Sequence, residues 1–122
     1  MSFNVTSVSD GAGASDDPLA GEPELRRELA TMFLEDCPRL LSEIRTATTA
    51  HDGPSLKIAA HTLKGSAGVF RVQSAYDAAL QMEHVGQQCD WEHAEVAWKS
   101  LKEQMAEISL QLNELVNGAV AT

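Results

Sequence analysis

Residues 59–68 read Ala59-Ala60-His61-Thr62-Leu63-Lys64-Gly65-Ser66-Ala67-Gly68, the spacing of an amphipathic helix with a histidine at the centre of its open side. At about 100° per residue, the side opposite His61 carries small and apolar residues: Leu56, Ala59, Leu63, Ser66 and Phe70, flanked by Ala60 and Ala67. The side that His61 occupies carries Lys57, Lys64, Gly65 and Gly68. The pattern predicts a helix that is buried on one side and open around His61.

The two glycines on the open side need a physical reason. A glycine within a helix costs about 1 kcal/mol relative to alanine. We expect the bare backbone at Gly65 and Gly68 to let another protein approach the imidazole closely. Lys64, one turn from His61, is placed to bring an ammonium group to any anion that the ring carries.

Periodicity and length predict one small helical domain. The chain has 122 residues, enough for a single core, with few aromatic residues. Apolar residues recur at three- and four-residue steps in four segments joined by short connections, which predicts an all-α, antiparallel up-and-down four-helix bundle. We expect residues 1–20 to form a flexible tail or linker, 21–118 the bundle and 119–122 a short C-terminal tail.

Prolines and glycines predict where the helices begin, bend and end. Pro23 suits the first position of the first helix, and Pro38 should kink or briefly break that helix. The histidine helix is expected to run from about Pro54 to Phe70. The third helix should begin near residue 73, and Gly86 should weaken its end.

Charge limits the kinds of partner. Acidic residues outnumber basic ones by 18 to 9, for a net charge of -9, which argues against nucleic acid because phosphate backbones require clustered Lys and Arg. No acidic residue lies between Asp52 and Asp77, a segment that contains Lys57, Lys64 and Arg71. This local basic face would suit an acidic partner and speed encounter at low ionic strength.

Cys37 and Cys89 are the two cysteines, and we expect them to be reduced and partly buried, because the start of the chain lacks the features of a secretory signal. No apolar run is long enough to cross a bilayer. We therefore expect a cytoplasmic segment without membrane contact. Nothing in the sequence demands a dimer, so a monomer is expected.

The string from His61 to Gly68 resembles the signature of the histidine-containing phosphotransfer (HPt) domains of bacterial phosphorelays. Residues 28–41 are similar to the family's preceding helix, which often has Phe-Leu-Glu followed by a proline. Residues 78–83 resemble the next helix, which usually ends on Leu-Glu. The resemblance covers roughly residues 22 to 115, and the family's fold is also a four-helix bundle.

The resemblance implies a role for each residue of the site. His61 would accept a phosphoryl group from a receiver-domain aspartate on its outward nitrogen, Nε2, and pass it to another receiver domain. A neutral imidazole has a free lone pair for this attack. Lys64 would stabilise charge on the phosphoryl oxygens, and Glu83, where the family commonly has a polar residue, would orient His61 through its other nitrogen. No cofactor or metal of its own is implied, because Mg²⁺ is expected on the partner receiver only.

The same resemblance implies docking of response-regulator receiver domains on the face formed by Lys57, Gly65, Gly68 and Arg71. Arg71 departs from the family pattern, in which many relatives carry a glycine at this point, followed by alanine. Its bulk and charge leave the acceptor role intact and bear on partner choice. The segment would stand alone or belong to the C-terminal part of a hybrid sensor kinase.

Alternatives of other classes remain open at this point. A helical adaptor that docks receiver or kinase domains without carrying phosphate would share the same face, and a chemotaxis-kinase phosphotransfer domain has a related signature. A small enzyme is disfavoured by the lack of a paired nucleophile, an HExxH pattern or a phosphate-binding loop, and the chain has no nucleotide-binding element of a kinase. Cys89 and His93 offer two metal ligands without a second pair, so no metal site is predicted.

Overall fold

The computed structural model describes residues 21–118, so the tails predicted over 1–20 and 119–122 lie outside the described residues. The main elements are the helices α1 (Pro23–Thr49), α2 (Gly53–Gly68), α3 (Gln73–Gln88) and α4 (Ala94–Asn113). A single 3₁₀ turn, Trp91–His93, precedes α4, and a π-helical turn, Glu114–Gly118, follows it. Within residues 21–118 there is no strand.

The four helices form a closed antiparallel bundle. Each helix packs against the next one in the chain, and α4 returns to pack against α1. Because the joints are short, successive helices run in opposite directions. The predicted all-α four-helix bundle is confirmed, and α2, the predicted histidine helix, lies within two residues of its expected ends.

The core is one cluster of apolar side chains from all four helices. Its largest fully buried members are Ile44, Leu56, Leu63, Met82, Leu101, Met105 and Ile108. Burying a leucine or isoleucine side chain contributes about 1.5–3 kcal/mol, so the buried side of α2 fixes which way its opposite side faces. Phe70, just after α2, meets Phe33 of α1 edge to face with ring centroids 5.9 Å apart. His61 is thereby directed away from the core.

Pro38 lies within α1 on its exposed side. Proline has no N–H, so the helix loses one backbone hydrogen bond there. The helix continues because Phe33, Cys37 and Leu40, on either side of the proline, are all buried in the same core. The predicted break is wrong, and the kink stays a prediction.

Two glycines set the distance between α2 and α3. Both Gly53 and Gly86 are buried, and a Cβ added to Gly86 would lie 2.8 Å from the backbone nitrogen of Lys57 and 3.0 Å from the carbonyl oxygen of Gly53. Real Cβ atoms do not approach so closely. Gly86 is therefore required for close helix packing, which the sequence pattern did not reveal, and α3 continues two residues beyond it.

A non-glycine residue in the left-handed region follows each of the first three helices: His51 (φ 54°), Arg71 (φ 61°) and Cys89 (φ 53°). A left-handed residue at this point satisfies the last helical carbonyls and turns the chain. After α1, for example, the amide of Asp52 donates to the carbonyl of Ala47 at 2.8 Å. The Asp52 side chain then accepts from the amide of Ser55 at 3.2 Å and caps α2.

The two cysteines differ in environment. Cys37 is buried, and burial raises the pKa of its thiol to about 11, against a smaller opposing effect of a hydrogen bond with Ser109. Cys89 is exposed, contrary to the expectation of partial burial for both. Neither forms a disulfide. None of the helices in the described part of the chain is long and apolar enough to span a membrane.

Candidate functional site

His61 lies in the middle of α2 on the side that faces away from the core. Its side chain is 66% exposed, whereas Ala60 and Leu63 beside it are fully buried. The alternation follows from the helical period, since α2 buries its apolar side against its neighbours. The imidazole is therefore open to a partner protein while its backbone is held in the bundle.

Glu83 joins the site from the neighbouring helix α3. Its Oε2 lies 3.0 Å from Nδ1 of His61, and its Oε1 lies 2.8 Å from Nζ of Lys64. The Glu83 side chain is only 11% exposed. Oε1 is buried. It forms an ion pair with Lys64, but the two groups are not aligned for a hydrogen bond. One buried carboxylate thus contacts both polar side chains of the site.

The charge of Glu83 decides which nitrogen of His61 carries hydrogen. Burial raises the pKa of Glu83, but the contacts with Lys64 and His61 outweigh burial and leave the pKa below its ordinary value. The group is therefore a carboxylate at neutral pH, and a carboxylate only accepts hydrogen bonds. Nδ1 of His61 consequently donates, and the neutral ring keeps its lone pair on Nε2.

Lys64 is held close to the protein instead of extending into solvent. Its side chain is 16% exposed, and the contact with Glu83 raises the pKa of its ammonium group, against a smaller opposing effect of burial. The ion pair offsets one positive charge of the predicted basic face. The exposed cations of that face are Lys57 and Arg71.

Gly65 and Gly68 differ in their surroundings. A Cβ added to Gly65 would meet nothing within 4 Å, so this glycine faces open space one turn from His61. A Cβ added to Gly68 would lie 3.4 Å from Cδ2 of Tyr76, an ordinary van der Waals contact. The structure thus leaves clearance for a partner at Gly65 and places Gly68 against an aromatic ring.

Arg71 is exposed, just beyond the end of α2, with its backbone in the left-handed region. Glycine adopts this region without strain, so the structure gives a physical reason for a glycine at this point. Arg71 and Tyr76 border an open surface depression of about 490 Å³. Lys57 is one turn before His61 on the exposed side of α2.

The sequence pattern did not single out Tyr76. It lies in the first turn of α3, half-buried, and its ring centroid is 5.9 Å from Nζ of Lys64. No spacing within one helix could reveal this contact, because the two residues lie on different helices. The sequence held one signal for this contact: antiparallel pairing brings the start of α3, with Tyr76, next to the end of α2, where Gly68 leaves room for a ring.

Two other histidines, His51 and His93, make their contacts away from the site. The ring of His51 stacks on Trp91, with centroids 4.7 Å apart. Nδ1 of His93 lies 2.8 Å from Oδ2 of Asp90, and this contact raises the pKa of His93. Together with Glu92 these two residues bring three possible metal-ligand atoms within 4.8 Å of one another at the surface.

Comparison with known proteins identifies the family. The family model described as "Hpt domain" matches residues 28–118, about three quarters of the chain. No curated protein and no solved structure matches. The match includes α2 with His61, Lys64 and both glycines of the open side, and α3 with Glu83. The chain therefore belongs to the Hpt domain family, the helical phosphotransfer modules that interact with receiver domains in two-component systems.

Proposed function

We propose that this domain is a phosphorelay intermediate in which Nε2 of His61 accepts a phosphoryl group from the aspartate of one receiver domain and transfers it to another. The observation that carries the proposal is the contact between Nδ1 of an exposed His61 and the buried carboxylate of Glu83. This contact leaves the outward nitrogen with a lone pair and fixes the ring.

The transfer step balances without a separate base. The lone pair on Nε2 attacks phosphorus and forms the N–P bond, while the P–O bond to the aspartate breaks and its electron pair goes to the carboxylate. The ring keeps the hydrogen on Nδ1 and becomes a phosphoimidazolium, whose positive charge lies 3.0 Å from Glu83. Transfer to the next receiver is the reverse step onto another aspartate.

Lys64 has two anionic partners in this proposal. Before phosphorylation its ammonium pairs with Glu83. Once His61 carries the phosphoryl group, the phosphoryl oxygens on the exposed side of α2 attract the same cation. Lys64 therefore stabilises the charge of the transferred group as a point charge, in competition with Glu83.

The docking face comprises Lys57, Gly65, Gly68 and Arg71. Two exposed cations belong to this face, Lys57 one turn before the histidine and Arg71 beyond the end of α2, on an otherwise acidic protein, which suits a partner with an acidic pocket. Gly65 leaves open space beside the ring. We expect the Mg²⁺ for the reaction to be held by the partner receiver, and this segment to act as a monomeric cytoplasmic carrier with no kinase activity, alone or within a hybrid sensor kinase.

The test is incubation with a ³²P-labelled phosphorylated receiver domain, comparing the wild type with His61→Gln. We expect acid-labile, base-stable label on the wild type, none on the variant, and none on either with ATP alone. Because His61 is exposed, the variant should fold normally. Absence of label on the wild type with several receivers that charge other Hpt domains, while receiver binding persists, would overturn the proposal in favour of an adaptor.

A further inference from the structure

We propose that Tyr76 is a positioning residue that holds the ammonium group of Lys64 beside His61, an inference that rests on the proposed function. Nζ of Lys64 lies 5.9 Å from the centroid of the Tyr76 ring and 2.8 Å from Oε1 of Glu83. The two contacts come from the same helix, α3, at its first turn and its third. Lys64 is thus held between an aromatic ring and a carboxylate.

The Tyr76 ring lies between the start of α3 and the end of α2. The amide of Tyr76 donates to the carbonyl of Val72 at 3.1 Å, within the first turn of α3. Gly68 of α2 faces the edge of the ring, where an added Cβ would lie 3.4 Å from Cδ2. The ring therefore lies where the ends of two packed helices meet, and it offers its surface to Lys64.

Lysine needs such a surface if it is to act at a defined place. Its side chain is among those that lose the most rotamer freedom when ordered. With most of its surface covered, Lys64 is already ordered before any partner arrives. The ordering is achieved in the folded domain, so it need not occur during phosphoryl transfer.

An aromatic ring and a carboxylate hold a cation with different consequences. The Glu83 carboxylate neutralises the ammonium, which weakens its attraction for a phosphoryl group. The face of the Tyr76 ring attracts the cation through its quadrupole but carries no net charge. Tyr76 can therefore keep Lys64 in place while the phosphoryl oxygens replace Glu83 as its counter-ion. The hydroxyl group of Tyr76 has no part in this role, so phenylalanine should substitute for it.

The experiment compares Tyr76→Leu, which removes the ring, with Tyr76→Phe, which keeps it. Trp98→Leu is the matched control, because it removes a similar contact within α4, where the centroid of the Trp98 ring lies 5.7 Å from Nζ of Lys102. Proteins labelled with ¹³C at lysine Cε are observed by NMR, and a Lys64→Arg variant assigns the Lys64 signal. Far-UV circular dichroism and urea midpoints check that each variant folds. If Tyr76→Leu does not fold, Tyr76→Met replaces it.

We expect a ring-current shift of the Lys64 Hε signals in the wild type and Tyr76→Phe, lost in Tyr76→Leu and retained in Trp98→Leu. The initial rate of transfer from a phosphorylated receiver should fall about two- to fivefold in Tyr76→Leu, the effect of losing one cation–aromatic contact. In Tyr76→Phe and Trp98→Leu the rate should stay within about twofold of the wild type, below the loss expected from that contact.

Three results would overturn the inference: no ring-current shift in the wild type, equal transfer rates for the wild type and Tyr76→Leu, or equal losses in Tyr76→Phe and Tyr76→Leu. Each of these results counts against the inference only if the wild-type protein accepts phosphate. A wild type that accepts none overturns the proposed function instead. The two failures are thereby distinguishable.

Discussion

Glu83 Oε2 lies 3.0 Å from His61 Nδ1, although the two residues are 22 positions apart in the chain. The carboxylate is nearly buried and the imidazole is largely exposed. The inner nitrogen of the ring is therefore tied to the bundle, and the outer nitrogen is presented to solvent. Because Lys64 contacts the other oxygen of the same carboxylate, a change at Glu83 alters both side chains at once.

Glu83→Gln should slow phosphoryl transfer to His61 about fivefold without abolishing it. The amide oxygen can still accept from Nδ1, but a neutral hydrogen bond is weaker than a charge-assisted one by about 1 kcal/mol, and this difference corresponds to about fivefold in rate. Glu83→Ala, which removes the acceptor, should slow transfer further. Initial rates of label transfer measure both, and equal rates for the wild type and both variants would contradict an orienting role.

The same carboxylate should make the stability of the bundle depend on pH. Because the folded pKa of Glu83 is lowered, its ionisation contributes stability that is present above its unfolded pKa, about 4.3, and is lost as the pH falls through the lowered folded pKa. The difference in free energy of unfolding between the wild type and Glu83→Gln should therefore shrink from pH 7 to pH 3. Urea denaturation at several pH values measures this, and a constant difference would show that the charge is not responsible.

Two glycine-to-alanine substitutions should have opposite effects on stability. Gly86→Ala should destabilise the bundle by about 1–3 kcal/mol, since the new Cβ overpacks the contact between α2 and α3. Gly65→Ala should stabilise it by up to about 1 kcal/mol, because its Cβ meets nothing within 4 Å and alanine favours the helix. Urea denaturation of both variants makes the comparison.

Gly65→Ala also tests the docking role of Gly65. If a receiver domain uses the bare backbone there, this more stable variant should accept label more slowly than the wild type. Unchanged transfer in a stabilised Gly65→Ala protein would show that the clearance is not used. Gly86→Ala is no substitute in this assay, because its loss of stability affects transfer indirectly.

Arg71→Gly should stabilise the domain by up to about 1 kcal/mol. The left-handed backbone at Arg71 costs a residue with a side chain about 1–2 kcal/mol, and the greater chain entropy of glycine offsets about 0.5–1 kcal/mol of the gain. Arg71→Ala is the matched control, as it removes the charge but keeps the strain, and it should not stabilise. Thermal unfolding measures the stability of both variants. Equal stability of Arg71→Gly and Arg71→Ala would contradict the strain argument.

Transfer assays on the same two variants address partner choice. If the guanidinium of Arg71 contributes to docking, both variants should lose the same fraction of the transfer rate, and the loss should be smaller at high salt because exposed charges are screened. Different losses in the two variants would point to the backbone of the joint between α2 and α3 instead of the charge.

Local patterns in the sequence were sufficient to predict the four helices and the exposed position of His61. The helical period alone placed Leu56 and Leu63 in the core and His61 outside it, because burial of one apolar side determines the orientation of a helix. The predicted break at Pro38 was wrong for a related reason. Core packing on both sides of the proline outweighs one lost hydrogen bond, and packing between helices cannot be read from a local pattern.

The sequence by itself determined the class of the fold, the family resemblance and the residue at the centre of the site, since each depends on the identity and spacing of neighbouring residues. Only the tertiary structure decided the contacts that define the chemistry around His61: the carboxylate of Glu83 shared with Lys64, and the ring of Tyr76 beside Lys64. These contacts join α2 to α3. They depend on a helix separation of a few ångströms, which the close approach at Gly53 and Gly86 sets.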